Sequence, residues 1–503
     1  MRQTLHRDCG ISLQEVLPQA RQHGDRPVRF TSCCTDSRLC KPGDLFVALV
    51  GGTHDGHDFV QQAIAAGASA VLAERLLPVT GVSVYVVRNT HTAHGRICQA
   101  LAGNPSRRLK VIGVTGTNGK TTTSCLIAAV LEAAGHRTGI LGTLGYCDSI
   151  ETVPAPLTTP TAPMLADWLA RIEANHCSHA VMEVSSHALC QGRVAGVEYD
   201  AVCVTNVRRD HLDFHQSVQN YRDAKARLLK QLTPQGLCVL NVDDPVSAGW
   251  LTRIDGPVLT VAMDKPAEVT ATLIEQFASE QTFLLTAGAD TVPVRTRIIG
   301  RHHVYNCLVA AALGLGYGID LPTVIRGLES VEQVPGRLER VACGQPFSVF
   351  VDYAHTADAL AGTLAALRQV TAGRLICLFG AGGNRDRQKR PEMARAAEAL
   401  ADLTIVTSDN PRCEDSRAII NDIVRGFEQP ETVEVISDRA EAIQFALSTA
   451  REGDCVLIAG KGHEDYQEIG GVRHHFDDRE VARHWLHEMA DSDEFMTTAS
   501  RGR

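Results

Sequence analysis

The 503-residue chain lacks the features of secreted and membrane proteins. No apolar run reaches the roughly 18 residues that a membrane-spanning helix needs. The first seven residues lead into no apolar signal core, so we do not expect a secreted protein. The chain has no CxxC pair, and among its 16 cysteines only Cys33, Cys34 and Cys40 form a cluster. Reduced, buried thiols are therefore favoured over a disulfide or a zinc site, and we expect a cytoplasmic protein without a membrane partner.

The chain also lacks an excess of basic residues. Its formal net charge is -9, which argues against a nucleic-acid partner but leaves anionic small molecules possible as substrates. No internal repeat or low-complexity tract is evident. The hydrophobic content of 44% and the charged content of 21% are those of a soluble globular protein. At this length we expect two to four domains, and we expect a monomer.

Three segments and a polar tail are predicted from the alternation of apolar runs and helical patterns. Repeated strand–helix alternation predicts an α/β protein with two mostly parallel sheets. One is a central sheet with helices on both faces, and the other is a C-terminal, Rossmann-like doubly wound sheet. The predicted domains are residues 1–108, 109–334 and 335–490, with a frayed tail over 491–503.

A glycine-rich turn predicts a phosphate-binding loop between a strand and a helix. Its backbone N–H groups can converge on phosphate oxygens at the start of the helix. The lysine can reach the β- and γ-phosphates, and the threonine after it can bind Mg²⁺. The outer glycine of the common GxxxxGK[ST] pattern is replaced by Val114. The residues of the predicted loop are Gly116, Thr117, Asn118, Gly119, Lys120, Thr121 and Thr122.

Further candidates follow later strands of the central segment. Glu183 ends an apolar strand, where its carboxylate could hold Mg²⁺. Residues 205–215 contain several metal-capable side chains, among them His211, although a solvated charged loop is the alternative. Lys225 would be an ordinary surface lysine if exposed, but burial would lower the pKa of its amine and make it reactive.

The strings TGTNGKTT, MEVSSHAL, CQGR, RRDHLDFH and YRDAKARLL, followed by PGRLERV, VDYAHT and DNPR, resemble the Mur ligase family in the same order along nearly the whole chain. The resemblance implies an ATP-dependent ligase that converts a substrate carboxylate into an acyl phosphate, which an incoming amino group then attacks. Lys120 would stabilise the transferred phosphoryl group. Thr121 and Glu183 would bind one Mg²⁺ and His211 a second, positioned by Lys225 as a CO₂-derived carbamate.

The resemblance also implies further ATP contacts. Arg337 and Asp352 would reach the phosphate and the ribose after domain closure, and Asn306 would lie near the adenine. Where the family often has Gly-x-Phe-Asn-x-x-Asn, this chain reads GRHHVYN from Gly300, so that His302 and His303 replace the Phe and the first Asn.

The resemblance extends to the two other substrates. DNPR resembles the signature of members that add meso-diaminopimelate. The chemistry fits this substrate, since the arginine can bind its distal carboxylate by paired hydrogen bonds, and the alternative substrate L-lysine has no such carboxylate. A simple turn is the alternative reading of DNPR. The implied diaminopimelate-binding residues are Arg385, Asp409, Asn410, Pro411, Arg412, Gly460 and Glu464. The acceptor would be UDP-N-acetylmuramoyl-L-alanyl-D-glutamate, a cytoplasmic peptidoglycan precursor, bound by Thr35, Ser37, Thr158, Thr159, Ser185, Gln191 and Arg193. Leu157 stands where the family frequently has asparagine.

Three alternatives remain open. A lysine-adding Mur ligase is disfavoured by Arg412. A folylpolyglutamate synthetase-like ligase shares the chemistry but lacks the first domain with its TDSR and GDLFVA strings. A non-enzymatic nucleotide-binding regulator would not be expected to keep the four residues Lys120, Glu183, His211 and Lys225.

Overall fold

The computed structural model describes residues 10–24 and 27–501, with side chains described as far as residue 490. The first part of the chain forms a five-stranded sheet of order β2-β7-β6-β5-β4, in which only β2 is antiparallel to its neighbour. A separate pair, β1 and β3, lies beside it. Its strands are β1 (Ile11–Ser12), β2 (Arg21–His23), β3 (Arg29–Phe30), β4 (Cys33–Cys34), β5 (Leu45–Val47), β6 (Ala70–Ala73) and β7 (Ser83–Val86). Its helices are α1 (Leu13–Val16), α2 (Val60–Ala65) and α3 (Thr90–Leu101).

The central part forms an eleven-stranded sheet of order β11-β10-β9-β12-β8-β13-β14-β15-β16-β17-β18. The seven neighbouring strands β9, β12, β8, β13, β14, β15 and β16 run parallel. The strands β11 and β10 at one edge and β17 and β18 at the other pair antiparallel. The strands are β8 (Lys110–Thr115), β9 (Thr138–Gly142), β10 (Gly145–Cys147), β11 (Thr152–Val153), β12 (His179–Glu183), β13 (Tyr199–Val204), β14 (Leu232–Asn241), β15 (Val258–Ala262), β16 (Val269–Gln276), β17 (Gln281–Ala287) and β18 (Asp290–Thr296). The helices are α4 (Lys120–Ala133), α5 (Ala162–Ala174), α6 (Ser186–Cys190), α7 (Leu212–His215), α8 (Val218–Ala226), α9 (Pro245–Ala248), α10 (Arg301–Gly316) and α11 (Leu321–Glu329).

The last part forms a six-stranded sheet of order β19-β20-β24-β21-β22-β23, parallel except for β19, and a hairpin of β25 and β26. Its strands are β19 (Glu339–Arg340), β20 (Ser348–Asp352), β21 (Leu375–Phe379), β22 (Leu403–Val406), β23 (Glu434–Val435), β24 (Cys455–Ala459), β25 (Tyr466–Ile469) and β26 (Val472–His475). Its helices are α12 (Ala357–Arg368), α13 (Lys389–Leu400), α14 (Ser416–Val424), α15 (Arg439–Thr449) and α16 (Asp478–Arg501). Short 3₁₀ helices lie at Gly56–Phe59, Pro105–Arg107, Arg227–Gln231, Leu251–Arg253 and Pro430–Thr432.

Both larger sheets are buried on their two faces. In β8, Val111 belongs to one apolar cluster, whereas Ile112 and Val114 belong to the cluster on the opposite face. In β21, Cys377 and its alternate neighbours face one cluster, and Ile376 faces the other. Because successive side chains of a strand point to opposite faces, continuous apolar runs of this kind require helices on both sides. The predicted α/β fold class is confirmed.

The last helix extends into the stretch 491–503, which the sequence predicts to be a frayed tail. The backbone of α16 is helical as far as Arg501, and the fraying of this stretch stays a prediction. No proline or glycine occurs between Asp478 and Arg501, so nothing in the local sequence ends the helix. The last two residues lie outside the described range.

None of the helices in the described part of the chain combines the length and apolar character needed to cross a bilayer. All the cysteines that the structure describes are free thiols.

Candidate active site

The phosphate loop lies between β8 and α4, where the sequence predicts it. Gly116 and Gly119 have φ angles of 155° and 84°, a region of backbone conformation that favours glycine. A Cβ at Gly119 would lie 2.4 Å from Asn306 Oδ1, so the loop and α10 approach each other too closely for a side chain. The amine of Lys120 donates to the carbonyls of Gly116 and Thr117, each at 3.0 Å, and so stays at its own loop.

The loop is fastened to the segment after β13 and to α8. Thr117 N donates to Asn206 O at 2.8 Å, and Asn118 N donates to Asn206 Oδ1 at 3.0 Å. The hydroxyls of Thr117 and Tyr221 lie 2.9 Å apart. These contacts hold the loop backbone in place. The entropic cost of ordering the loop when it binds a phosphate is therefore smaller.

Thr121 and Glu183 are brought together as predicted. The Thr121 hydroxyl donates to Glu183 Oε2 at 3.0 Å. The same carboxylate accepts from Thr143 N at 2.7 Å and from the Thr143 hydroxyl at 3.1 Å. Glu183 is only 1% exposed, so the neighbouring donors replace its hydration. Two oxygen ligands suited to Mg²⁺ therefore lie side by side at the carboxyl end of β12 and the start of α4.

Lys225 is buried behind the phosphate loop, with 2% exposure. Its amine donates to Gly116 O at 2.7 Å. Burial lowers the pKa of Lys225 well below its ordinary value, and the nearby charge of Lys120 lowers it further, while Asp210 opposes the shift. The surface-lysine alternative is therefore wrong, and the surroundings favour the neutral form of the amine.

His211 lies beside a group of other histidines. Its φ angle of 52° places it at the start of α7 in a left-handed conformation, and its Nε2 lies 3.4 Å from Asp210 Oδ2. The rings of His187 and His211 are 4.8 Å apart. Burial lowers the pKa of His211 to about 3, against the opposing charge of Asp210, so the imidazole is neutral and can donate a lone pair.

The last sheet reaches the phosphate loop through Arg337. Its guanidinium donates to the Thr121 hydroxyl at 3.1 Å and lies 4.4 Å from the ring centre of Tyr353. Asp352, expected near a ribose, accepts from the backbone N–H groups of Leu338 and Ala354 at 2.7 and 2.9 Å. In this arrangement the carboxylate of Asp352 fixes the two loops that carry Arg337 and Tyr353.

One cavity of about 780 Å³ joins the central and last parts of the chain. Thr143, Thr158, Asp210 and His211 line it from the central side. The last part of the chain supplies most of the predicted diaminopimelate-binding residues, namely Arg385, Asp409, Asn410, Arg412, Gly460 and Glu464. The cavity therefore adjoins Glu183, through Thr143, and extends to the residues of the DNPR string.

The DNPR string forms a hydrogen-bonded network rather than an isolated turn. Asn410 Nδ2 donates to Glu464 Oε2 at 2.7 Å. Lys461, which has no exposed surface, donates to Asn410 Oδ1 at 3.3 Å and to Glu464 Oε2 at 3.4 Å. Burial and the charge of Asp409 raise the pKa of Glu464. Pro411 is buried and its carbonyl closely approaches Gly383.

Two arginines of this cavity differ in how firmly they are held. Arg412 adopts a φ of 54°, and its Nη1 donates to Gly383 O at 2.8 Å. Its Nε lies 3.8 Å from the carboxylate of Glu468, and the side chain is 18% exposed. Arg385 is exposed and donates to its neighbour Asn384 O at 3.1 Å. Arg412 is therefore the pre-positioned cation and Arg385 the adaptable one.

Most residues predicted for the acceptor substrate form a second network beside Glu183. The Thr159 hydroxyl donates to Glu183 O at 2.9 Å, and Ser185 N donates to that hydroxyl at 3.0 Å. Arg193 donates to Thr159 O at 3.1 Å and to Gln191 Oε1 at 2.8 Å. Thr158 lies beside them and accepts from the Thr143 hydroxyl at 3.2 Å. Thr35 and Ser37 lie apart, just after β4, where Thr35 is exposed and Ser37 donates to Gln62 Oε1 at 2.9 Å.

Three family models match the chain: the Mur ligase middle domain over residues 114–314, the Mur ligase glutamate ligase domain over 336–462, and the Mur ligase catalytic domain over 29–102. A relative from Bacillus cereus, named UDP-N-acetylmuramoyl-L-alanyl-D-glutamate–2,6-diaminopimelate ligase, is 43% identical over 460 residues, which are 90% of this chain and 93% of the relative. The chain belongs to the Mur ligase family.

Other comparisons agree with this membership. A relative of the same name from Syntrophomonas wolfei is 42% identical and covers 95% of this Mur ligase and 98% of itself. A solved structure with that name has a TM-score of 0.68 at 33% identity, covering 96% of this chain and 99% of its own. A folylpolyglutamate synthase from Mycobacterium tuberculosis shares the fold, with a TM-score of 0.60 at 19% identity, over 73% of this chain and 92% of its own.

Two departures from the family pattern in the Mur ligase, His302 and His303, lie in α10, beside the phosphate loop. Asn306 Oδ1 accepts from the Thr123 hydroxyl at 3.2 Å, and Asn306 Nδ2 donates to His303 Nδ1 at 3.3 Å. Burial lowers the pKa of both His302 and His303. His303 therefore orients the side chain of Asn306 rather than carrying charge.

Sequence reasoning missed several residues in and beside the cavity. Lys389 lines the cavity with Asp210, and burial lowers the pKa of its amine against the charges of Asp210 and Asp409. Tyr353, in the VDYAHT string, lines the same cavity, and the buried Lys461 lies beside it. Neither residue was assigned a role from the sequence. The signal for Lys461 was its place between two glycines directly after a fully apolar strand, where open α/β sheets bind ligands.

Proposed function

We propose that this Mur ligase adds meso-diaminopimelate to the D-glutamate of UDP-N-acetylmuramoyl-L-alanyl-D-glutamate, with conversion of ATP to ADP and phosphate. The observation that carries this proposal is the cavity that extends from Thr143, at the Glu183 carboxylate, to Arg412 and Glu464. The relatives that carry the corresponding name support the choice of substrates.

The proposed reaction has two steps. The glutamate carboxylate attacks the γ-phosphorus of ATP, the bond to the ADP oxygen breaks, and an acyl phosphate forms. The amino group of diaminopimelate then attacks the acyl carbon, loses a proton and expels phosphate. Lys120 sits at the loop that would cradle the triphosphate, so its ammonium can stabilise the charge that develops on the transferred group.

The residues of the site suit Mg²⁺, which would neutralise phosphate charge when bound. Its ligands would be the paired oxygens of Thr121 and Glu183, which are 3.0 Å apart, and a second ion would use the neutral imidazole of His211. We further propose a carbamate on Lys225. The neutral amine adds to CO₂ and releases one proton, which converts a buried base into a carboxylate for magnesium. The lowered pKa of Lys225 supports this role.

The diaminopimelate would be read at both of its ends. Arg412, with Arg385, would bind the distal carboxylate, and the carboxylate of Glu464 near Gly460 would accept its ammonium. Asn410 would hold Glu464 in place through the 2.7 Å hydrogen bond, and Asp409 and Pro411 would shape the turn. L-lysine lacks the distal carboxylate, so it would leave Arg412 without a partner.

The remaining assignments follow the three predicted domains. Residues 1–108 would bind the UDP-sugar through Thr35 and Ser37, and residues 109–334 would bind ATP. Residues 335–490 would bind the amino acid. Arg337 and Asp352 would contact the nucleotide once it is bound. We place the reaction in the cytoplasm and expect the enzyme to act as a monomer.

A phosphate-release assay with a panel of amino acids tests the proposal. ADP and phosphate should appear only when ATP, the UDP-muramoyl dipeptide and meso-diaminopimelate are all present. Equal turnover with L-lysine would contradict the assigned amino acid. Release with folate and glutamate instead would favour the folylpolyglutamate synthetase-like alternative, and no release with any combination would favour a nucleotide-binding regulator.

A further inference from the structure

Three potential metal ligands meet in the first part of the chain, away from the nucleotide and amino-acid sites. They are the thiols of Cys33 and Cys98 and the imidazole of His94, whose ligand atoms all lie within 4.8 Å of one another. His94 and Cys98 are buried, with 8% and 4% exposure, and Cys33 is partly buried. The ligand atoms of the three side chains therefore already face one another.

Local geometry explains why these residues converge. His94 and Cys98 are four positions apart on α3, which places them one turn apart on the same face. Cys33 comes from β4, in which neighbouring side chains point to opposite sides. Cys33 accordingly packs against the apolar cluster that includes Ile97, whereas Cys34 packs against the cluster that includes Val60.

Packing around the three residues excludes water from most of the site. Cys98 lies in a small apolar cluster with Ala162 and Ala166 of α5, and Cys33 packs against the same cluster. The site is therefore at the contact between the first sheet's helix and the central part of the chain. The charges of two thiolates would cancel that of a divalent cation, and a neutral imidazole would add none. The complex would therefore bury no net charge, whereas a thiolate or a cation buried alone would be unfavourable.

We propose that Cys33, His94 and Cys98 bind a zinc ion or another divalent cation that prefers thiolate ligands. Two thiolates and one imidazole are a ligand set that selects such ions. Zn–S bonds of about 2.3 Å at tetrahedral angles place two sulfurs about 3.8 Å apart, which the present spacing accommodates with little movement. Binding releases the two thiol protons, and a water molecule can take the fourth position.

A neighbouring set, Cys34, Cys40 and Asp44, has similar spacing but is already used in other contacts. The Asp44 carboxylate accepts from Lys41 N at 2.8 Å and also from the Ser32 hydroxyl. The Cys34 thiol donates to Asp36 O at 2.9 Å. A metal at this second set would have to break those contacts, so it serves as the matched comparison for the first.

The consequence of metal binding would be a fixed position of β4 against α3. Cys33 lies two residues before Thr35, which we predict to contact the uridine. The metal would thereby hold the start of the loop that carries that contact. This effect rests on the proposed function, whereas the metal site itself does not.

Metal analysis of the whole protein tests the site. The wild type, purified without an affinity metal, should hold about one equivalent of zinc, and Co²⁺ should give the thiolate-to-cobalt charge-transfer absorption of a tetrahedral site. Cys33→Ser, Cys98→Ser and His94→Gln should each weaken Zn²⁺ affinity by more than about 100-fold. Cys34→Ser and Cys40→Ser, the controls, should leave zinc content and the cobalt spectrum unchanged.

The proposal is overturned if the wild type takes up no more zinc or cobalt than the Cys33→Ser, Cys98→Ser double variant. It is also overturned if the controls lose the metal as completely as the ligand variants do, or if mass spectrometry of the protein as purified shows a Cys33–Cys98 disulfide. The wild-type cobalt spectrum decides the question even if a variant fails to fold. Phosphate release from ATP and both substrates, measured on the same preparations, reports separately on the proposed function.

Discussion

Replacing Arg412 by alanine is the most direct test of how the amino acid is recognised. The guanidinium of Arg412 is held by the hydrogen bond to Gly383 O at 2.8 Å, and its side chain is 18% exposed. A bidentate pair with a carboxylate in such a site contributes about 2–3 kcal/mol. The KM for meso-diaminopimelate should therefore rise about 30- to 150-fold, because every 1.4 kcal/mol changes affinity about tenfold.

Initial rates of phosphate release at varied diaminopimelate concentrations measure this change. The KM for ATP should stay within about twofold, since Arg412 belongs to the amino-acid end of the cavity. Alanine keeps the left-handed backbone at this position as arginine does, so thermal melting should report a folded protein. An unchanged KM for diaminopimelate in a folded variant would refute the assignment of Arg412.

Arg473→Ala is the matched control. Arg473 lines the same cavity and stacks 4.1 Å from the ring centre of Tyr466, but its side chain is 63% exposed. Solvent screens a charge at such a site, so its loss should change the KM for diaminopimelate by less than about fivefold. An equal rise in both variants would mean that general positive charge, rather than a specific contact, recognises the substrate.

Three further changes probe other parts of the molecule. Lys225→Ala should lower kcat by more than about 100-fold, and added short-chain carboxylic acids should restore part of the rate. Wild-type turnover in this variant would reject the carbamate. Glu183→Gln should lower kcat by a similar factor and raise the Mg²⁺ concentration needed for half-maximal rate, and an unchanged magnesium dependence would remove Glu183 from the metal site. Burial lowers the pKa of His179 to about 4, below its unfolded value near 6.5. Between these pH values the unfolded chain binds more protons than the folded one. The free energy of unfolding therefore falls by up to about 1.4 kcal/mol per unit as the pH decreases from 6.5 to 4. Urea unfolding of His179→Gln should show a shallower loss over that range, and identical slopes would contradict the buried neutral ring.

The fold class could be predicted because apolar runs and helical patterns alternate so regularly. The run around Ile112 and the run from Leu375 to Phe379 are fully apolar, and both are central strands buried on two faces. The antiparallel strands β16 to β18 were not predicted. Their patterns are amphipathic and weak, and what fixes them is their pairing onto the edge of the parallel sheet.

The candidate site was predictable where short strings carry the chemistry, as at Lys120, Glu183 and Arg412. Contacts between distant parts of the chain were not. The hydrogen bond from Arg337 to Thr121 joins residues 216 positions apart, and the roles of Lys389 and Lys461 depend on burial that no local pattern announces. The approach of Cys33 to α3 is of the same kind, since only the folded sheet brings it there.

The hydrogen bond between Arg337 and Thr121 links the position of the last part of the chain to the occupancy of the proposed nucleotide site. The Thr121 hydroxyl that accepts from Arg337 also donates to Glu183, so under the proposed function a divalent cation bound with ATP would compete with the guanidinium for the same oxygen. Because Arg337 stands at the beginning of the last sheet and stacks on Tyr353, its displacement would be passed on to the loop beneath the amino-acid cavity. The binding of ATP and a change in the shape of the amino-acid cavity would then be coupled through one side chain.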